Sequence, residues 1–126
     1  MSAKWKLADR IAHVTRILRQ HRFKNIVLQK YKPSISPYSG WFRIVASKNT
    51  YKIYVTELIL DGNITKYSYT LLHKNKPLLR YDNSPHYPHI STYPHHKHVK
   101  ETINPLQKPS IEEFMKETQE VIEKNQ

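Results

Sequence analysis

Two short stretches gather side chains able to move protons and hold phosphate: Arg80-Tyr81-Asp82-Asn83-Ser84-Pro85-His86 and Tyr93-Pro94-His95-His96-Lys97-His98. Five of the 8 histidines lie between His86 and His98. Imidazole titrates near pH 6.5, so a neutral and a protonated copy coexist near neutrality. That suits cleavage of RNA through its own 2′-hydroxyl: a base takes the hydroxyl proton, an acid protonates the leaving 5′-oxygen, and cations face the phosphorane oxygens. Positioned proton transfer contributes typically ~10²–10⁴-fold. The candidates are His86, His95, His96 and His98 for proton transfer or phosphate contact, and Asp82 to orient one imidazole. Arg80 and Lys97 would stabilise negative charge, with Tyr81 and Tyr93 added to the RNA-contacting set. Asn83, Pro85 and Pro94 would shape the turns. Prolines stiffen the segment, so it loses less entropy on ordering.

The same residues admit two other readings. His86, His89, His95, His96 and His98 offer several three-ligand sets for zinc, with Asp82 as a fourth ligand. Against this, the sequence holds no H-E-x-x-H pattern, and Lys97 and the basic body oppose a cation; no metal and no cofactor is expected. Alternatively the histidines only bind phosphate or tie the loop to the sheet.

Composition narrows the classes. The chain has 126 residues and a formal charge of +11, which favours a polyanionic partner. Residues 1–100 carry 18 basic and 4 acidic residues, and residues 101–126 carry 3 and 6, so the acidic tail is set to pack on or shield a basic body. Cysteine is absent, which excludes disulfides, a thiol nucleophile and thiolate zinc sites. With only 2 glycines there is no phosphate-cradling glycine loop. No apolar run is long enough to span a membrane. The opening MSAKWKLADR has no signal core, so a cytoplasmic protein without membrane contact is expected.

These residues must be positioned by a scaffold, and the pattern predicts α+β: an antiparallel sheet of four to five strands with two helices on one face, in a single domain over 1–126. Leu7, Ile11, Val14 and Leu18 recur at helical spacing, giving a basic amphipathic helix over 3–20. Residues 26–82 are dense in Tyr, Ile, Val and Thr, with strands expected at Ile26–Lys30, Trp41–Ala46, Tyr51–Leu60, Ile64–His73 and Leu78–Asp82. Pro33 and Pro37 mark a loop, Asp61-Gly62 a primed hairpin turn, and Lys74-Asn75-Lys76 the next turn. Alternation puts Arg80 and Asp82 on one face and Tyr81 on the other. Residues 83–109, with five prolines, are expected as an ordered loop across the sheet. Ser110-Ile111-Glu112-Glu113 is a capping box that opens a helix over 110–124, with Glu112/Lys116 and Glu120/Lys124 as i,i+4 pairs.

Trp5, Trp41, Tyr67 and Tyr69 could stack on bases, although strand aromatics more often pack in cores or cross-strand pairs. Glu57, inside an apolar strand, needs a partner; Arg43 and Arg80 are the expected ones. His13, His21 and His73 are isolated and carry no expected role.

Glu57, Asp61-Gly62, Tyr67-Ser68-Tyr69, the segment Arg80 to His86 and Pro94-His95-His96-Lys97-His98 together resemble the TumE family of toxin–antitoxin proteins. That family shows R-[YW]-D-N-[AS]-P-H-H, then an aromatic and P-H-H-K-H; the likeness covers roughly residues 41–103. One departure is visible: Pro85-His86-Tyr87 stands where the pattern commonly has P-H-H, so Tyr87 is expected to serve only as a hydrogen-bonding group. The resemblance implies a small toxin made beside a DNA-binding antitoxin, with RNA-cleaving activity. It leaves the oligomeric state open, a homodimer included.

Overall fold

The structure is a computed structural model that describes residues 4–126. It holds α1 (Leu7–Gln20), β1 (Lys24–Pro33), β2 (Gly40–Lys48), β3 (Tyr51–Leu60), β4 (Asn63–His73), β5 (Lys76–Asp82), β6 (His96–Val99), β7 (Thr102–Pro105) and α2 (Ile111–Lys124). The strands form one 7-stranded sheet in chain order, and every pair is antiparallel. β3–β4 and β4–β5 are joined by tight turns, whereas β5 and β6 are joined by the longer segment Asn83 to His95. Asp61 and Gly62 take φ of 51° and 82°, Lys74 and Asn75 51° and 67°, as primed hairpin turns require. No helix among the described residues is long and apolar enough to cross a membrane.

The α+β class and the two flanking helices match the sequence reading; the strand number does not. The expected four to five strands are seven, because β6 and β7 lie inside the 83–109 segment read as a loop. Histidine and lysine fill β6 in place of an apolar alternation, and prolines flank it, so it carries no strand signature. β1 extends past Lys30 to Pro33, and α1 begins at Leu7. Of the helix expected over 3–20, Ala3 lies outside the described residues, and Lys4 to Lys6 are not helical.

Both helices cover one face. Phe42, Ile44 and Ala46 of β2, Ile53 and Val55 of β3, Tyr69 and Leu71 of β4, and Leu79 and Tyr81 of β5 meet Val14, Leu18, Ile111, Phe114 and Met115 of the helices in one core. α1 closes on Arg22 (φ 67°), with the Phe23 amide bonded to the Leu18 carbonyl at 3.0 Å, a left-handed helix end that also buries Phe23. Ser110 caps α2, its hydroxyl accepting from the Glu113 amide at 3.1 Å, as the capping box predicted. Glu112 faces His13 at 2.6 Å, so His13, read as isolated, joins the two helices. Burial works against the charged Glu112 carboxylate, but the His13 bond, a backbone bond and the His13 and Arg10 charges together outweigh it and hold the carboxyl below its ordinary value.

One polar group is set within this core. Glu57 of β3 is fully buried and meets Arg10 of α1 through two bonds, Nε–Oε1 at 2.7 Å and Nη2–Oε2 at 2.8 Å. Tyr69 donates to Glu57 at 2.5 Å. Burial, and then the Glu57 charge, push the Tyr69 hydroxyl well up, so it remains a donor. The expected partners of Glu57, Arg43 and Arg80, are ruled out by alternation: both point to the opposite face, where Arg43 bonds Thr56 at 3.0 Å.

Candidate functional site

β5 and β6 pair so that Asp82 faces His96 and Arg80 faces His98. All four point away from the helices, toward the open face. Asp82 is the hub: Oδ2 accepts from Arg80 Nε at 2.9 Å, and Oδ1 lies 3.0 Å from His96 Nε2 and accepts from the Ser84 amide at 3.0 Å. His98 Nε2 stands 3.7 Å from Oδ2. Burial cuts water away, since the Asp82 and His96 side chains are 3% and 2% exposed, whereas those of His98 and Arg80 are 28% and 47% exposed. The inner pair is thus shielded, and the outer pair is open to solvent.

His96 is fixed at both nitrogens. Nδ1 lies 2.9 Å from the Pro94 carbonyl while Nε2 faces Asp82. Both partners are acceptors, so each ring nitrogen faces one and the ring orientation is fixed. His98 differs. Burial pushes its pKa below the ordinary 6.5, Asp82 pulls the other way, and His96 and Arg80 depress it further. It is therefore a neutral imidazole near pH 7 with a reachable edge, as a general base requires.

The connection from Asn83 to His95 arches over this cluster and lays the Tyr87 ring upon it. Tyr87 lies 4.8 Å from the His96 ring, 5.8 Å from His98, 6.4 Å from His86 and 6.3 Å from His89, centroid to centroid. One aromatic ring thus gathers four imidazoles. The sequence reading expected of Tyr87 only a hydrogen bond; its contribution here is packing. His86, His89 and Tyr93 are exposed on this loop. Asn83 ties the end of β5 to β4, accepting from the Tyr67 amide at 3.1 Å and donating to the Thr65 carbonyl at 2.9 Å. Pro85 is exposed, and the Tyr93–Pro94 peptide is cis.

The remaining candidates fall on the other face. His95 Nδ1 lies 2.9 Å from the Tyr67 hydroxyl with the rings nearly parallel. Burial, then the neighbouring His96, lower its pKa. Burial, then the Asp82 charge, raise that of Tyr67, so the phenol donates and His95 accepts. Tyr81 and Lys97 require correction. Both were expected to contact phosphate or RNA, but Tyr81 is 1% exposed beneath α2 and donates to Glu117. Lys97 is held by the same carboxylate at 3.1 Å from each oxygen. Odd positions of β5 and β6 face the helices, and Glu117 neutralises the cation there. Nothing in the helical pattern of α2 marked Glu117 as a partner; nor did the sequence mark Thr92, whose hydroxyl donates to the His95 carbonyl at 2.6 Å and accepts from the Leu106 amide at 2.9 Å.

Donor atoms of Asp82, His96 and His98 all lie within 4.8 Å of one another, a spacing that a divalent ion could bridge. As arranged, the Arg80 guanidinium already occupies one Asp82 oxygen and competes with an ion there. The geometry is that of a carboxylate holding one imidazole and a guanidinium, with a second imidazole 3.7 Å away.

Comparisons with curated proteins and with solved structures each return no match. The family model described as Toxin TumE matches residues 14–125, which include every residue of the cluster. With nearly the whole sequence matched, and the Arg-Tyr-Asp-Asn-Ser-Pro-His and Pro-His-His-Lys-His segments brought together in adjacent strands, the chain belongs to the TumE toxin family.

Proposed function

We propose that this chain is the toxin of a toxin–antitoxin pair and acts as a metal-independent endoribonuclease. The observation that carries the reading is the array of Arg80, His98 and Asp82–His96 at the border of a cationic sheet face. His98 takes the proton from the ribose 2′-hydroxyl, and O2′ attacks the adjacent phosphorus. Arg80 meets the non-bridging oxygens as negative charge gathers there. The bond to O5′ breaks, and His86 of the arching loop, as the general acid, supplies the proton to that oxygen. The products are a 2′,3′-cyclic phosphate and a 5′-hydroxyl. Asp82 and His96 are positioning residues: buried and mutually satisfied, they fix the Arg80 side chain and the strand carrying His98. A DNA-binding antitoxin is the partner that the family implies, and the cytoplasm the expected compartment.

Purified protein should cut single-stranded RNA in the presence of EDTA and leave cyclic phosphate ends. His98→Ala should reduce the rate by about 10²–10⁴-fold. Intact RNA at high protein concentration, or a His98→Ala variant as fast as the parent, refutes the reading. Activity abolished by EDTA and restored by zinc would move the Asp82, His96 and His98 set to metal chemistry.

A further inference from the structure

The open face of the sheet continues beyond the cluster with charge of one sign. Lys30 and Lys32 of β1, Arg43 of β2, Lys52 of β3, Lys66 of β4 and Arg80 of β5 share it by register. Within the strands its one carboxylate is Asp82, buried and already paired. Among these cations a cleft of about 410 Å³ opens, walled by Trp41, Leu58, Lys66, Ser68, Asn83 and Pro85. Trp41, Leu58 and Lys66 form one lateral row, and Ser68 belongs to the next, directly opposite Asp82. The near edge of the cleft, at Ser68, borders the cluster; Trp41, three strands across and two rows along from Arg80, stands roughly 20 Å from it, with strands ~4.8 Å apart and residues ~3.4 Å apart along them. The Lys30 and Lys32 ammonium groups lie 5.9 and 5.6 Å from the Trp41 ring centroid.

We propose that this cleft binds one unpaired nucleobase of the RNA, a few nucleotides along the strand from the phosphate held at Arg80 and His98, with Trp41 as the stacking wall. The inference rests on the ribonuclease reading above and adds to it the substrate's form, single-stranded. An indole flanked by lysines suits a base that can be splayed from its neighbours. Unpaired RNA offers that base, whereas a duplex keeps its bases stacked inside the helix. Lys66, exposed at the cleft rim, and Lys30 and Lys32 above the ring meet the phosphates on either side. Trp41 is thus a specificity-determining residue, apart from proton transfer.

The test uses a fully 2′-O-methylated single-stranded oligoribonucleotide, which has no attacking hydroxyl and is not cut. The sequence has 2 tryptophans, so Trp5→Phe leaves Trp41 as the sole indole reporter. The oligonucleotide should quench that fluorescence to saturation, and the same sequence as a duplex should not. Read by anisotropy of a dye-labelled oligonucleotide, Trp41→Ala should weaken binding by about 5- to 150-fold, the equivalent of one lost base stack, and Trp41→Phe should weaken it less. Lys66→Glu, at an exposed position, should weaken binding and flatten its salt dependence. Parent-like affinity in Trp41→Ala or Lys66→Glu, or equal quenching by duplex, overturns the proposal. So does a Trp41 signal that responds to an antitoxin protein but never to RNA. His98→Ala, which should lose cleavage but still reach the full quench at saturating oligonucleotide, separates failure of the cleft from failure of the catalytic reading.

Discussion

Replacing Arg10 by methionine gives a sharp test of how the helical layer is held to the sheet. The guanidinium is 5% exposed and the Glu57 carboxylate 0%. Methionine fills most of the space but leaves that carboxylate with one donor, Tyr69. Removing one partner of a buried ion pair costs about 3–5 kcal/mol, because the remaining charge stays in the interior. A domain of this size has about 5–15 kcal/mol in all. Taking about 2.1 cal/mol/K of unfolding entropy per residue over 126 residues, the melting temperature should fall by roughly 11–19 °C. Thermal unfolding followed by far-UV circular dichroism measures it, and urea unfolding gives the free-energy loss, with the slope checked against the parent so that only the midpoint moves. The triple variant Arg10→Met/Glu57→Leu/Tyr69→Phe, which removes the whole polar group, should regain most of the loss. An Arg10→Met variant within 1 kcal/mol of the parent, or a triple variant no better than the single one, refutes the reasoning.

Further outcomes follow from the site and the caps. The rate of RNA cleavage should rise as pH increases through a value below 6.5, since burial, His96 and Arg80 hold His98 neutral there; Asp82→Asn removes the opposing influence, and the acidic limb of the pH–rate profile should move to lower pH. Stability should fall on acidification below pH 6.5: His95 and His98 have lowered pKa values in the fold, so the unfolded chain takes up protons first. A urea midpoint that increases between pH 7.5 and 5.5 would contradict this. Ser110→Ala should cost about 1 kcal/mol by removing the cap on the Glu113 amide, again read from urea unfolding. Glu117→Ala should free Lys97 and the Tyr81 hydroxyl together and lower thermal stability, while a variant melting with the parent would show the three-way contact to be idle.

The sequence carried the parts of this fold whose signals are local. The Asp61-Gly62 and Lys74-Asn75 turns, the capped second helix and the apolar alternation of Tyr51–Leu60 all depend on near neighbours, and all read correctly. So did the shared face of Arg80 and Asp82, because parity along a strand is a local property. The failures are long-range. β6 is a strand only because β5 offers it a free edge, and nothing in His-Lys-His-Val announces that edge. Glu57 was seen to need a partner, but its pairing with Arg10 spans 47 positions and follows from where α1 docks. Tyr81 and Lys97 were grouped with the phosphate ligands because they neighbour them in sequence; alternation, applied to Tyr81 but not carried into the second motif, separates them. The five clustered histidines likewise resolve into His96 and His98 below the Tyr87 ring, His86 and His89 around it, and His95 on the far side of the sheet.

The strand pairing that builds the cluster also makes it a matter of parity. His96 and His98 alternate with Lys97 and Val99, so sliding β6 along β5 by a single residue would present an ammonium and an isopropyl group to Asp82 and turn both imidazoles under the helix. The arching connection is long enough to tolerate such a slip, and four backbone pairs alone are a weak guard against it. Thr92, clasping the carbonyl of His95 on one side and the amide of Leu106 on the other, acts as a detent for that alignment. A hydroxyl that touches neither substrate nor base thereby decides which side chains the chain displays.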